Sequence, residues 1–101
     1  MTDPRTPHVM GITLDSTGVA NTKVAALNRS NGNRQIVATD ANKRAVFDAS
    51  AFTDGYTNGD VIEFENTGAS HGGTTITINT TSGFQEATIT CAAAPTGQIR
   101  L

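Results

Sequence analysis

Apolar and polar residues alternate along much of this chain with the period of two that is typical of β-strands. The clearest example is the segment 60–65, where Ile62 and Phe64 alternate with Glu63 and Glu65. Successive strand side chains point to opposite faces of a sheet, so this pattern predicts strands with one apolar face. The segments with this pattern are residues 9–14, 23–28, 34–39, 44–48, 60–65, 74–80 and 84–91.

Turn-forming residues separate these segments. Asn31-Gly32 lies between the second and third of them and predicts a β-hairpin. The longer segment 49–59 contains two further Gly turns and predicts a loop with one helical turn near residues 50–52, anchored to the core by Phe52 and Tyr56. A second loop is predicted over residues 66–73, which contain three glycines.

Seven short strands separated by turns predict an all-β fold, an immunoglobulin-like antiparallel β-sandwich. At 101 residues the chain has the length of a single domain. The sandwich is predicted over residues 9–91. Residues 1–8 and 92–101 contain all three prolines and no periodic pattern, which predicts extended N- and C-terminal arms.

A set of turn and strand residues along the sandwich occurs in a recognisable order. The residues are Gly11, Asp15, Gly18, Val19, Asn28, Thr39, Asp40, Asn42 and Phe47. In this order they resemble the carboxypeptidase regulatory-like domains, the transthyretin-like branch of immunoglobulin-like sandwiches. The chain departs from the pattern at Lys43, where these domains have Gly, and at Ala20. The resemblance implies a binding or structural module that is not an enzyme.

Composition and charge narrow the range of partners. The net charge is −2 and the seven basic residues are scattered, whereas a nucleic-acid interface needs clustered Lys and Arg. No apolar run approaches the roughly 20 residues that span a bilayer. The sequence also starts without a segment resembling a signal peptide, which predicts synthesis in a cytoplasm. We therefore expect neither nucleic acid nor a membrane as partner.

Residues that often carry chemistry are few and far apart in sequence. Cys91 is the single cysteine, lies on the predicted inner face of its strand and is expected to be buried. Asp40 and Asn42 are two residues apart, but the adjacent positive charge of Lys43 favours a turn-stabilising role over a calcium loop. His8 and His71 are too few for a zinc site. We expect no metal, no cofactor and no catalytic residue.

We also expect the acidic residues of the fifth predicted strand to be structural and not catalytic. Glu63 and Glu65 point to one face of the strand, which a solvated strand face also explains. A sandwich of this size lacks the deep cleft of a glycosidase. A cytoplasmic enzyme of transthyretin-like type is a third interpretation, for which no residue set is found.

A small sandwich with two extended arms and no catalytic constellation predicts a structural virion protein of a tailed bacteriophage. Specifically, we expect a decoration protein that binds the outer capsid surface, with the major capsid protein as partner and self-association on the capsid. Its arms would bridge capsid subunits by adding strands to exposed edges. Removing residues 1–8 is expected to abolish particle binding and leave the sandwich folded. The predicted contact residues are Pro4, Arg5, Pro7, His8, Tyr56, Arg100 and Leu101.

The alternative is a carbohydrate- or receptor-binding module of a virion tail or a surface adhesin. Its contact face would be formed by the loops 49–59 and 66–73. Tyr56 is the aromatic residue expected to be exposed there. Sugar-binding surfaces rely on stacking aromatic rings, and the chain has no Trp.

Overall fold

Nine short β-strands and one helical turn form the regular structure of the described residues. The structure is a computed structural model that describes residues 6–67 and 70–93. The helical turn is a 3-10 helix, Ala49–Ala51. The strands are β1 (Val9–Leu14), β2 (Lys23–Asn28), β3 (Arg34–Ala38), β4 (Arg44–Asp48), β5 (Val61–Asn66), β6 (Ser70–His71), β7 (Gly73–Thr77), β8 (Phe84–Ile89) and β9 (Ala92–Ala93).

The longer strands form two sheets. One has four strands in the order β3-β2-β5-β7, and all its neighbours are antiparallel. The other has three strands in the order β4-β1-β8, in which β1 is antiparallel to β4 and parallel to β8. The short strands β6 and β9 pair separately. The prediction of an all-β sandwich is confirmed, with one of its sheets mixed.

The core lies between the two sheets and contains the inward residues of both. The rings of Phe47 on β4 and Phe64 on β5 approach to 5.3 Å between centroids. Ile62 is buried beside Phe64 in the predicted alternation. Phe52 and Tyr56 are buried in the same cluster, so they anchor the long loop as predicted.

Several strand ends differ from the pattern-based prediction by a few residues. The sixth predicted strand, 74–80, occupies residues 73–77 as β7. Pairing does not continue to Thr80, because its N–H donates to the Asn58 side chain, at 2.9 Å, in place of a backbone carbonyl. The last, 84–91, ends earlier as β8 because the Cys91 N–H donates to Asp15 Oδ1, at 3.2 Å, in place of a ladder partner. Side-chain acceptors of this kind compete with strand pairing.

The boundaries predicted for the two arms also change. His8, a residue of the predicted N-terminal arm, is buried. Residues 92 and 93 of the predicted C-terminal arm form β9, which pairs with β6 inside the predicted loop 66–73. Two-residue strands have too little periodicity to be recognised in a sequence. The remaining arm residues, 1–5 and 94–101, lie outside the described residues.

The turn between β3 and β4 places Lys43 in a backbone conformation that favours glycine. The φ angle of Lys43 is +64°, in the left-handed region that favours Gly. Asp40 Oδ1 accepts the backbone N–H groups of Asn42 at 2.8 Å and of Arg44 at 3.1 Å. These bonds give Asp40 the predicted turn-stabilising role, and they hold a non-glycine residue in a strained conformation.

Candidate functional site

The N-terminal segment enters the sandwich between two elements that hold its backbone. The carbonyl of His8 accepts the N–H of Ala49, and the N–H of Val9 donates to Gly83 O, both at 2.9 Å. The His8 N–H donates to Asp48 Oδ1 at 3.1 Å. The chain is therefore fixed on both sides at the start of β1.

The His8 ring is 1% exposed and is bound by the side-chain amide of Gln85. The distance from His8 Nε2 to Gln85 Oε1 is 2.7 Å. The same oxygen accepts the Asn79 N–H at 2.9 Å, and Gln85 Nε2 donates to Thr77 O at 3.0 Å. Since Oε1 accepts, the Nε2 of His8 carries the proton. One amide thus joins the N-terminal segment and the edges of both sheets.

Tyr56 fixes the segment one step further out. Its hydroxyl donates to the Thr6 carbonyl at 2.7 Å, and its ring centroid lies 5.6 Å from that of His8. Tyr56 is 4% exposed. We call His8, Asp48, Tyr56 and Gln85 the N-terminal anchor, because the contacts among them and with the Thr6 carbonyl hold residues 6–8 against the sandwich.

Asp48 is the charged member of the anchor. Partial burial raises its pKa, but hydrogen bonds from the side chain and backbone of Ser50, at 2.7 and 2.9 Å, lower it. The backbone N–H and the charge of His8 act in the same direction, so the net pKa is below the ordinary value. Asp48 also caps the helical turn through Ser50.

The predicted contact residues fall into three groups. Pro7 is exposed. His8 and Tyr56 are buried and face the core, so the expectation that Tyr56 is an exposed aromatic is wrong. The sequence pattern misled because a single aromatic in a loop can point inward or outward. Outside the described residues lie Pro4, Arg5, Arg100 and Leu101.

A partly apolar surface lies on the outer face of the three-stranded sheet. Phe84 is 41% and Val46 is 51% exposed. The Arg44 guanidinium lies 5.9 Å from the Phe84 ring centroid and 3.7 Å from Glu86 Oε2. A Cβ at Gly11 would lie 2.7 Å from Arg44 Nη2, so glycine makes room for the arginine over β1. We call these five residues the Phe84 face.

The outer face of the four-stranded sheet carries a shallow depression. Glu63 and Glu65 lie on this face, as predicted, and Glu63 is paired with Arg29. Glu63 therefore forms an ion pair on a solvent-exposed face of the strand. The depression is lined by Ala25, Ala26, Leu27, Arg34, Glu63 and Glu65.

Cys91 is 4% exposed, as expected for a small core residue. Burial raises the pKa of its thiol, and the negative charge of Asp15 raises it further. The thiol lies 3.7 Å from Asn66 Oδ1. In residues 6–67 and 70–93, no group of three or more His, Cys, Asp or Glu is arranged to hold a metal ion.

The sequence interpretation overlooked Gln85 and Asp48. Gln85 shares the period-two face of Ala87 and Ile89, so a polar residue at this inward position was the available signal. Buried polar side chains need hydrogen-bond partners, but the sequence does not tell which residues supply them.

Comparison with known proteins gives no relative for this chain. No protein family, curated protein or solved structure matches it. Over the residues that the structure describes, no helix is long and apolar enough to cross a membrane.

Proposed function

We propose that this protein is a non-enzymatic structural virion protein of a tailed bacteriophage, a decoration protein on the outer surface of the capsid. It is synthesised in the host cytoplasm, and its partner is the major capsid protein. Residues 1–5, including Pro4 and Arg5, make the contact that bridges capsid subunits, and Pro7 lies at the margin of this contact.

The N-terminal anchor is the observation that supports this proposal. The Thr6 carbonyl is bonded to Tyr56, and His8 is bonded to Gln85 and Asp48. Thr6, the residue that directly follows residues 1–5 in the sequence, is therefore held on the sandwich. Fixing the start of a binding segment reduces the conformational entropy that is lost when the segment binds. Many copies on a symmetric shell add avidity to a weak contact.

The proposal includes the immunoglobulin-like, transthyretin-like identity of the sandwich. The left-handed φ of Lys43, at the position where that pattern has Gly, is in keeping with it. Domains of this kind are binding or structural modules, and this supports the non-enzymatic role that we propose.

A carbohydrate- or receptor-binding module is the second candidate, and one observation favours it. Phe84 is an exposed aromatic ring beside an arginine, and exposed rings of this kind stack on sugar faces. The ring lies on β8 and not in the two loops that the sequence suggested. Tyr56 is buried, so its ring is not the exposed aromatic surface that those loops were expected to present.

Sedimentation of the protein with purified phage capsids tests both candidates. Removal of residues 1–8 is not a suitable test, because it also removes the buried His8. Removal of residues 1–5 leaves the anchor in place and is expected to abolish co-sedimentation. The matched control is Phe84→Ala, which should co-sediment at the stoichiometry of the unaltered chain.

Two results would contradict the decoration proposal. One is undiminished binding after removal of residues 1–5. The other is loss of binding in Phe84→Ala alone, which would transfer the contact to the Phe84 face and favour the second candidate. Sedimentation of the protein without capsids measures the proposed self-association directly.

A further inference from the structure

The edge of the four-stranded sheet at β3 has backbone groups without partners in the described part of the chain. Just after β3, Thr39 donates its N–H to Thr22 O at 2.7 Å. Because hydrogen-bonded and non-hydrogen-bonded pairs alternate along an antiparallel ladder, the odd-numbered residues of β3 also bond to β2. The N–H and C=O groups of Arg34, Ile36 and Ala38 point away from β2. Three consecutive outward residues form a template for one more strand.

The edge at β4, which lies beside β3, is occupied by contacts within the chain. The N–H of Arg44 donates to Asp40 Oδ1 at 3.1 Å, and its carbonyl accepts the Asp40 N–H at 2.9 Å. The Asp48 carbonyl accepts Gln35 Nε2 at 2.8 Å. Of the outward residues on β4, Val46 alone has neither its N–H nor its C=O bonded to another described residue.

The edges at β7 and β8 face each other, and Gln85 spans the gap between them. Its amide bonds to Thr77 O and to the Asn79 N–H. At the start of β8, Ser82 Oγ donates to the Phe84 carbonyl at 2.8 Å. The β3 edge is therefore the edge with the longest open stretch among the described strands.

The side chains along this edge indicate what it would bind. Ile36 is 63% exposed, the largest exposure among the large hydrophobic residues described. Arg34 lies two residues before it, and Lys23 lies beside Ala38 in the register of β2 and β3. Neither base forms an ion pair with another described residue, whereas Arg29 nearby is paired with Glu63. The edge thus presents an apolar side chain between two positive charges.

We propose that the β3 edge is a docking site for an extended segment of a partner protein whose side chains alternate between acidic and apolar. The segment adds as a further strand, bonding the backbone of Arg34, Ile36 and Ala38. An apolar residue packs on Ile36, and acidic residues two positions away on either side meet Arg34 and Lys23. The proposed site consists of residues of β2 and β3 and includes none of residues 1–5, so the proposal does not depend on the capsid assignment.

The test uses the full chain and two synthetic peptides of about nine residues, long enough for one strand. In both peptides Thr occupies every second position. The three residues between the threonines are Glu, Val and Glu in the acidic peptide and Lys, Val and Lys in the control peptide. Amide resonances are followed by nuclear magnetic resonance during titration. We expect saturable shifts and slower hydrogen exchange at Ile36 and Ala38 with the acidic peptide, and affinity at least about tenfold lower with the basic one.

Variants separate backbone pairing from charge. Ile36→Pro removes an outward N–H and should abolish binding, whereas Thr75→Pro, at an outward position of the β7 edge in the same sheet, should not. Arg34→Glu should reduce binding of the acidic peptide at least about tenfold. It serves as the second variant if the proline substitution unfolds the chain, because an exposed charge reversal leaves the ladder intact.

The proposal is overturned if neither peptide causes saturable shifts at millimolar concentration, if both bind equally, or if the shifts lie on another strand. Protection of Ile36 and Ala38 without peptide would also overturn it. Protection that rises with protein concentration would assign the edge to a second copy, and constant protection would assign it to another part of the same chain.

Discussion

Gln85 Oε1 lies 2.7 Å from Nε2 of His8, a contact between residues 77 positions apart that ties the N-terminal segment to the last long strand. The same side chain bonds to the backbone of Thr77 and Asn79 across the gap between the sheets. On the other side of the sandwich, Gln35 of β3 bonds to the Asp48 carbonyl of β4 at 2.8 Å. A glutamine therefore bridges the two sheets on each open side.

Substitution of Gln85 tests this bridge. Gln85→Ala leaves the buried His8 Nε2–H without its acceptor, and burial of an unpaired polar group costs about 1–3 kcal/mol. We expect a loss of at least about 2 kcal/mol in the free energy of unfolding, measured by urea denaturation, and faster hydrogen exchange at His8. Thr88→Ala, at an exposed position of the same strand, should change stability by less than about 0.5 kcal/mol. Equal effects of the two changes would show that the bridge is not stabilising.

Asp48 predicts a specific loss of stability in acid. Its pKa in the folded chain is below its ordinary value, so its contribution is complete above about pH 4 and is lost as the pH falls through the folded pKa. Asp48→Asn keeps an oxygen acceptor for the N–H groups of His8 and Ser50 but does not titrate. We expect the variant to be less stable at neutral pH and to lose less stability than the unaltered chain between about pH 4 and pH 2.

Urea denaturation across that pH range measures this effect. Asp54→Asn is the control for a non-specific change of charge, since Asp54 is an exposed carboxylate in a loop. If Asp48→Asn and the unaltered chain lose the same stability in acid, the hydrogen bonds to Asp48 do not favour its charged form.

Among the glycines in the described part of the chain, Gly72 is predicted to tolerate a side chain least. A Cβ at this position would lie 2.2 Å from Thr90 O, whereas a Cβ at Gly83 would meet nothing within 4 Å. Gly72→Ala should therefore cost at least about 2 kcal/mol through displacement of the backbone near β6 and β9. Gly83→Ala is the control and should be within about 1 kcal/mol of the unaltered chain. Thermal denaturation of both variants measures the difference in stability. Equal melting temperatures would contradict the close approach of Gly72 to the Thr90 carbonyl.

Lys43 is predicted to be a site where glycine stabilises the protein. A non-glycine residue at φ +64° carries a conformational cost of about 1–2 kcal/mol, which glycine removes. Glycine also adds entropy to the unfolded chain, and the change removes the bond from Lys43 Nζ to Ser16 O, so we expect a net gain of about 0.5 kcal/mol. Asn42→Gly, whose φ is not positive, should instead reduce stability. A loss of stability in Lys43→Gly would show that the lysine contacts outweigh the strain.

Cys91 is predicted to react slowly in the folded protein. Burial and the charge of Asp15 raise the pKa of its thiol, so the reactive thiolate is scarce and inaccessible. Alkylation by iodoacetamide at about pH 8, close to the ordinary thiol pKa, should be at least about tenfold slower in buffer than in urea. Similar rates under the two conditions would mean that Cys91 is accessible in the native state.

The alternation of apolar and polar residues and the positions of turn-forming residues were sufficient to predict most of the strands. The bounds of β1, β2 and β4 were predicted from alternation alone, and the helical turn after β4 from its loop composition. Ile62 and Phe64 point inward as their spacing requires. These features depend on side chains a few residues apart, so the sequence contains the necessary information.

The tertiary structure alone decided which strands pair and which polar residues meet. The parallel pairing of β1 with β8, the bond between His8 and Gln85 and the burial of Tyr56 all join segments that are distant in sequence. Alternation shows that one face of a strand is apolar, but it does not specify the neighbouring strand. A buried polar residue is likewise visible in the pattern at Gln85, while its partners are determined only when the two sheets pack together.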